Sequence, residues 1–332
     1  MGGSSLLRLE RILAARAGEP VDRVPVSLWC HWPGADQSAE TLAEATVEFA
    51  ERFDFDMIKV TPSGLCGVAD WGVRSGPPYS DHGEPTVSRW AIGKLEDWNR
   101  MEVLDPSAGR LAQEVGALRA IGIGLGASVP YVQTAFLPLT TAGKLANQRL
   151  LSDLREHPDL IHRALRVITD TTVAFLTVCL TTGGASGVFL STKYANQALL
   201  TREEYAEFGT RYDLEILERI AHLSKVTILH LHGDNLYYDL FTSYPVDFVN
   251  WHDRGSGPTL AEGSRMFSTG LMGGISNSTE FICSASLDDL RAQVYDAVAQ
   301  VRGRRLVIAP GCVLPTEMSD LRYRAIREAV EG

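Results

Sequence analysis

Two histidines one residue apart, His230 and His232, end the stretch Val226–Asp234, VTILHLHGD. Val226, Thr227, Ile228 and Leu229 read as a short strand buried on both faces, as in a parallel sheet. Side chains at i and i+2 of a strand share a face, so both imidazoles project together with Leu231 on the other side. Gly233 permits a sharp exit, and Asp234 begins the loop. Two imidazoles at a strand end make half of a metal site. The plainer alternative is two polar side chains that fill a barrel mouth and hydrogen-bond to neighbours. Cys312, which follows Pro310-Gly311, adds weight to the metal. A thiolate with two imidazoles is an ordinary zinc set, with a fourth place open to substrate or water. Zinc there would keep a bound substrate thiol ionised at neutral pH. The strands that carry these motifs are not neighbours, so Cys312 has to reach inward from its loop. His252 follows the strand next to the H-x-H pair and is the candidate fourth ligand or orienting group.

Eight segments read as strands: Val24–Trp29, Met57–Thr61, Gly124–Gln133, Gly187–Leu190, Val226–Leu229, Asp247–Trp251, Leu271–Ile275 and Leu306–Ala309. Helical stripes separate most of them. Ser38 and Ser286 stand where they can cap helices, and Thr201 and Glu204 have capping-box spacing. The weakest link is the helix required between the sixth and seventh strands, which Leu260–Phe267 must supply. Eight βα units predict one (β/α)8 TIM barrel over residues 1–332. Residues 63–105 break the rhythm and are expected to be an insertion over the barrel mouth, with Trp71, Trp90 and Trp98 either roofing a pocket or packing the insertion. An open doubly wound sheet would need a glycine-rich phosphate loop after the first strand. Cys30–Gly34 is not one, and Gly122–Gly126 is expected to enter a strand.

The bulk numbers narrow the function. Charged residues make up 22% and the net charge is −10, so no basic face is available for nucleic acid or an anionic membrane. No run is expected to approach a membrane span, and Met1–Ser5 lacks the blocks of a signal peptide, which points to the cytoplasm. The five scattered cysteines read as thiols, not a disulfide framework.

In such barrels chemistry sits at the C-terminal strand ends. The residues expected there are unusually polar: His31, Asp70, Tyr194, Asn196, His230, His232, Asp234, His252, Asp253, Asn277 and Cys312. Four of the eight histidines follow apolar strands, whereas His157, His162 and His222 fall on helices. Asp70, Asp234 and His252 are the candidate catalytic groups. His31, Trp71, Tyr194, Asn196, Trp251, Arg254 and Asn277 are the candidate substrate contacts.

LERILAARAGEPVDRVPVSLW at Leu9–Trp29, HLHGD, VDFVNWHD and the tail APGCVLP with RAIREAV together resemble the uroporphyrinogen decarboxylase superfamily, over nearly the whole chain and in the right order. The resemblance implies a (β/α)8 fold and two kinds of activity: cofactor-free decarboxylation, and zinc-dependent methyl transfer between thiols and corrinoid proteins. The decarboxylase branch carries an arginine-rich R-Q-A-G-R stretch after the first strand and a G-H-G near the C-terminus. Here the first is Trp29–Gly34 without arginine and the second is Pro310-Gly311-Cys312. A tetrapyrrole with many carboxylates needs cationic partners. The methyltransferase branch has an H-x-C pair and a P-G-C cysteine on zinc, which fall on His230, His232 and Cys312, with histidine at 232 in place of cysteine. The expectation is therefore zinc-dependent methyl or alkyl transfer to a small thiol, with a corrinoid protein as candidate partner. The alternative is a cofactor-free decarboxylase of a smaller acid using Asp70 or a histidine. The oligomeric state is open, and a homodimer is compatible with it.

Overall fold

The computed structural model describes residues 6–331; Met1–Ser5 lies outside them. A curled, parallel, seven-stranded sheet runs in the order β1 (Ile58–Val60), β4 (Tyr131–Phe136), β5 (Gly187–Thr192), β6 (Val226–Leu231), β7 (Phe248–Trp251), β8 (Gly270–Ile275) and β9 (Leu306–Pro310). β2 (Arg74–Tyr79) and β3 (Pro85–Arg89) form a separate antiparallel hairpin. Val24–Trp29, expected as the first strand, forms one parallel bridge, Val26 to Ile308, instead of a ladder. Two causes are visible. Pro25 has no N–H to donate, and the Val26 N–H is taken by the Asp56 carboxylate at 2.8 Å. Arg11 and Arg23 in turn clamp Asp56. The segment still bonds to both edges of the sheet: Ser27 N–H donates to Ile308 O, Ile308 N–H to Pro25 O, and Asp56 N–H to Val26 O.

Strand burial follows sequence directly. β5 to β9 are buried throughout and mostly apolar, as parallel strands covered on both faces must be. One face of the strands packs Met57, Val132, Phe189, Ile228, Phe248, Met272 and Val307 into an inner core. Ile12 of the first helix, Arg8–Ala17, belongs to the same cluster. The other face meets the helices in a larger cluster that includes Leu229, Val249 and Ile308. Ser38, Thr201 and Ser286 each accept a backbone N–H as N-caps, a contribution of about 1 kcal/mol apiece. The doubtful helix between β7 and β8 is present as Leu260–Met266, capped by Thr259.

Two expectations need correction. Gly122–Gly126 does not enter a strand: the helix Gly109–Leu125 runs through it, and β4 starts at Tyr131. The glycines serve close packing. A Cβ on Gly124 would stand 2.6 Å from Val47 of the helix Ala39–Phe53, and one on Gly122 would stand 2.5 Å from the Tyr131 hydroxyl. One helix, Pro158–Thr181, is also long and apolar enough by composition to cross a membrane, contrary to expectation. Its apolar face, Ile161, Leu165, Ile168 and Leu176, is fully buried in the helical layer, which makes it a core helix.

Residues 63–105 hold the short helix Cys66–Ala69, the β2–β3 hairpin and a 3-10 turn at Leu95–Arg100. The hairpin tip reaches segments that follow the C-terminal strand ends. Thr316 N–H donates to Asp81 O, His82 Nε2 lies 3.3 Å from Thr279 Oγ1, and Gly83 packs on His31.

Candidate functional site

β6 delivers the two imidazoles as its pattern demands. His230 is the fifth residue of the strand and buried; His232 is the first residue past it and half-buried. β7 is hydrogen-bonded to β6, with His230 opposite Asn250, so His252, two residues on, arrives at the same level. Cys312 comes from the far side of the curled sheet, past β8 and β9. Gly311 makes that reach possible. Its N–H donates to Ile275 O at 3.0 Å, and a Cβ there would stand 3.0 Å from His252 Cα and 3.1 Å from Trp251 O. Only a residue without a side chain lets the two backbones touch so closely.

The four side chains converge. One ligand atom from each of His230, His232, His252 and Cys312 lies within 4.8 Å of the others. Among the described residues no other group of three or more His, Cys, Asp or Glu side chains is so placed. Cys312 Sγ lies 3.7 Å from His230 Nε2 and 3.5 Å from His232 Nδ1. A tetrahedron built from zinc–sulfur bonds near 2.3 Å and zinc–nitrogen bonds near 2.0–2.1 Å has a sulfur–nitrogen edge of about 3.6 Å. The donor set and its two sulfur–nitrogen spacings therefore fit zinc.

His230 is prepared for this role by Asn250, which the sequence reading missed. Asn250 is fully buried in β7. Its Nδ2 donates to Met272 O at 2.9 Å and to Pro310 O at 3.0 Å. Carbonyl oxygens only accept, so the amide cannot be turned around, and its Oδ1 must face His230 Nδ1 at 2.6 Å. His230 Nδ1 then carries the proton, and Nε2 presents a lone pair toward Cys312. Burial holds all three histidines neutral: His230 lies well below the usual imidazole value, His232 is pushed down to about 3 and His252 is lowered, with the neighbouring imidazoles adding to the effect on the first two. His252 Nε2 is buried and has no hydrogen-bond partner. Burial pushes the Cys312 thiol up to about 11, so a cation is needed to ionise it near neutrality.

A second residue missed in the sequence is Lys59, on β1. It is buried among the inner side chains, its Nζ 4.8 Å above the Phe189 ring and 5.5 Å above the Trp29 ring. Burial lowers it to about 7. A lysine within the apolar run Met57-Ile58-Lys59-Val60 was the available signal, as was an asparagine within Phe248-Val249-Asn250-Trp251. His82, at the hairpin tip, had no strand before it to mark it, yet its charge acts on His252.

The other candidates divide. Asp234 lies at the mouth, where its charge acts on His232 and His252 and its carboxylate accepts from Ser256 Oγ. Asn277 Oδ1 faces Gly311. His31 is buried under Gly83, with Nδ1 unpartnered. Tyr194 lies against Gly143 of the helix Pro138–Ala146. Asn196 is used in a turn, donating to Asp234 O and accepting from Ala198 N–H, and so braces the loop that bears Asp234.

Five of the expected residues have other bonds. Asp70 caps the helix that begins at Gly109, accepting the N–H groups of Arg110 and Leu111. Trp251 is core, 0% exposed, with Nε1 bonded to Pro258 O, because its side chain alternates away from that of Asn250. Arg254 turns outward to Gly274 O, Gln293 O and Asp296. Trp71 donates to Glu102 O and borders a cavity of about 30 Å³ that it shares with Thr134, Phe136, Lys144 and Phe175. Asp253 is buried and accepts the Gly274 N–H, so it stabilises the β7–β8 loop. A cleft of about 1480 Å³ lies at the N-terminal strand ends beside Arg8, Tyr131 and Lys225, away from every candidate ligand.

The chain is similar to known proteins over most of its length. The family model "Uroporphyrinogen decarboxylase (URO-D)" matches residues 7–332. The methylcobamide:CoM methyltransferase MtbA of Methanosarcina mazei is 21% identical over 241 residues, covering 68% of this chain and 70% of that protein. A uroporphyrinogen decarboxylase from Francisella philomiragia is 24% identical over 219 residues, covering 61% and 60%. Among solved structures, a methyltransferase from Methanosarcina mazei superposes with a TM-score of 0.86 at 19% identity, over 98% of this chain and 99% of that one.

Proposed function

The chain belongs to the uroporphyrinogen decarboxylase family, and within it we propose a zinc-dependent methyl or alkyl transferase that acts on a small thiol, with a corrinoid protein as its partner. The observation that carries this reading is the convergence of three neutral imidazoles and one thiol, with the tautomer of His230 fixed by Asn250. His230, His232 and Cys312 would hold the metal, and His252 would be the fourth ligand or yield that place to substrate. Zinc there would lower the pKa of a coordinated thiol and present it as a thiolate at neutral pH.

The chain's own groups do the rest. Asn250 keeps His230 Nε2 free of its proton. Cys312, raised by burial, gives up its proton when the site is filled. Asp234, beside His232 and His252, is the group placed to take a proton from an arriving thiol or to orient His252. The hairpin tip at Asp81–Glu84 covers the mouth and excludes water from the reacting carbon. Seven ladder strands plus the Val24–Trp29 segment make the proposed (β/α)8 barrel, one catalytic unit over the whole chain. All five cysteines are free thiols, which suits a reducing cytoplasm. Porphyrinogen decarboxylation is disfavoured by the capping duty of Asp70, by the outward turn of Arg254 and by the lack of arginine in Trp29–Gly34.

The test is metal content of protein purified without added zinc or a metal-binding tag. Wild type should carry about one zinc per chain, Cys312→Ser and His230→Ala should lose most of it with the fold intact, and His222→Ala should lose none. Full metal retention in Cys312→Ser, or no zinc in wild type even after incubation with zinc, would remove the basis of the proposal.

A further inference from the structure

The paired residues of β6 end at Leu231, opposite Thr192 of β5. One further bond, from the His232 N–H to Thr192 O at 2.8 Å, continues the ladder to His232. Gly233 follows with φ at 109°, and the chain turns away. The His230 ring is pinned by Asn250, whereas the level of His232 is set at its backbone, by Thr192. Side-chain alternation sends Thr192 to the helix side of the sheet, as it sends Leu190. There its Oγ1 lies 2.8 Å from the Tyr205 hydroxyl. Tyr205 donates to Asp213 Oδ2 at 2.9 Å, and Tyr244 donates to the same oxygen at 3.1 Å. The single hydroxyl proton of Tyr205 goes to Asp213, so Thr192 is the donor in its own bond. All four side chains are buried.

The helix departs from α geometry at this contact. Tyr205 ends the helix Arg202–Tyr205, Asp213 lies in the helix Arg211–Ile220, and a π-helical turn, Ala206–Thr210, joins them. In a plain α-helix residues eight apart stand about 80° apart round the axis. The wider π turn rotates less per residue and brings the two toward one side. A Cβ on Gly209, within that turn, would stand 2.7 Å from Tyr205 Cζ, so the ring is wedged against backbone. Phe241 packs on the ring as well, with centroids 5.7 Å apart. The groups that bond to Asp213 are the two phenols, and its Oδ1 is buried without a partner. A carboxylate buried with neutral donors alone is costly, and an apolar side chain of its size would destabilise less. What the carboxylate adds is a fixed direction for both hydroxyls.

We propose that Tyr205 is a positioning residue for His232: oriented by Asp213, it fixes the Thr192 hydroxyl and with it the strand end whose carbonyl holds the His232 N–H. The proposal rests on the zinc reading above only for its effect on metal; the hold on His232 is a property of the metal-free chain. Tyr205 serves His232 as Asn250 serves His230, from the helix side of the sheet instead of from the next strand. Threonine suits the link, because a β-branched side chain has few χ1 states and a bond at its hydroxyl also restrains its backbone.

Amide exchange of the metal-free chain and chelator competition for zinc test this together. Tyr205→Phe and Thr192→Val each remove the bond between Tyr205 and Thr192, whereas Tyr244→Phe removes a phenol from the same Asp213 oxygen without touching Thr192. The His232 amide should exchange about tenfold faster in the first two variants and within about twofold of wild type in the third. Zinc affinity should fall about threefold to tenfold in the first two and hold in the third, a smaller loss than removal of a ligand's own partner causes. Thr192→Ser keeps the hydroxyl and should stay near wild type in both readings. Urea midpoints should fall alike in Tyr205→Phe and Tyr244→Phe, each of which loses one buried bond, so a merely structural role would move exchange and affinity equally in both. Unchanged exchange in folded Tyr205→Phe and Thr192→Val, an equal change in Tyr244→Phe, or unchanged affinity in both where wild type binds zinc overturns the proposal. If exchange responds but wild type binds no zinc, the hold on His232 stands and the metal reading falls. If wild type binds zinc and neither exchange nor affinity responds, the reverse holds. Should Tyr205→Phe unfold, as circular dichroism would report, Thr192→Val decides alone.

Discussion

Replacing Asn250 by alanine should damage the metal site without touching a ligand. The amide makes three buried bonds: one accepted from His230 Nδ1 at 2.6 Å and two donated, to Met272 O and Pro310 O. Asn250→Ala leaves the His230 N–H facing a small void, and an unsatisfied buried donor costs about 1–3 kcal/mol. His230 can relieve that cost by moving its proton to Nε2, which is the nitrogen the metal needs. Zinc affinity should therefore fall about tenfold to a hundredfold, the range found when the partner of a ligating histidine is removed, and global stability should fall by about 2–4 kcal/mol. Competition with a chromophoric chelator reads the first quantity and urea denaturation of metal-free protein the second. Asn250→Asp separates the two effects. A carboxylate still accepts from Nδ1, so zinc affinity should stay within about threefold of wild type, yet it must now face two carbonyl oxygens, so stability should fall. The reasoning fails if folded Asn250→Ala binds zinc as tightly as wild type, or if Asn250→Asp loses as much affinity as Asn250→Ala.

The other perturbations are simpler. Gly311→Ala puts a methyl group 3.0 Å from His252 Cα; it should push Cys312 outward and lower zinc affinity by at least about tenfold in the same chelator assay, and unchanged affinity would mean that the loop closes by another path. Burial depresses His31 to about 3, so the unfolded chain takes a proton that the folded one refuses. That contribution is present above about pH 6.5 and is lost as pH falls toward 3, and His31→Gln should flatten the acid limb of a urea-stability profile. Asp213, fully buried with Tyr205 and Tyr244 hydroxyls on one oxygen, is raised to about 7. Its contribution is present below about pH 4 and lost as pH rises through 7, so Asp213→Asn should flatten the neutral limb and leave the acid limb alone.

The parts of the site that were legible in the sequence are those written in local pattern. The i, i+2 histidines at the end of an apolar run and the P-G-C turn after another put His230, His232 and Cys312 at strand ends, because strand alternation gives the two imidazoles one face, although how far Cys312 reaches inward was not written there. Residues whose duty depends on a distant neighbour were read wrongly or not at all. Asp70 looks like a free carboxylate at a strand exit, and only the fold brings the amides of Arg110 and Leu111 onto it. Trp251 lies between Asn250 and His252, and alternation alone would have sent it outward had its neighbours' face been known. Lys59 and Asn250 were visible as polar residues inside apolar strands, yet their meaning depends on which strands adjoin. The Val24–Trp29 ladder failed for a comparable reason: a side chain 30 residues away, Asp56, takes the N–H that a ladder needs.

Histidine at position 232, where the methyltransferase pattern has cysteine, changes the charge of the site. If Cys312 is its one anionic donor, a divalent metal there would keep one more positive charge than it would with two thiolates. In a pocket from which water is excluded, that charge is costly unless an anion answers it. On that reading an incoming thiolate would supply the charge. The same accounting gives His252 its place. A site closed by four protein ligands has no position left for substrate, and of the four candidates His252 is half-buried, carries an unpartnered Nε2 and adds no charge when it leaves. Cys312 would take the only negative charge with it, and His230 is pinned by Asn250. On the zinc reading the group that would yield is therefore His252, since His232 Nδ1 already lies 3.5 Å from Cys312 Sγ, and the Asp234 carboxylate acts on the His252 ring.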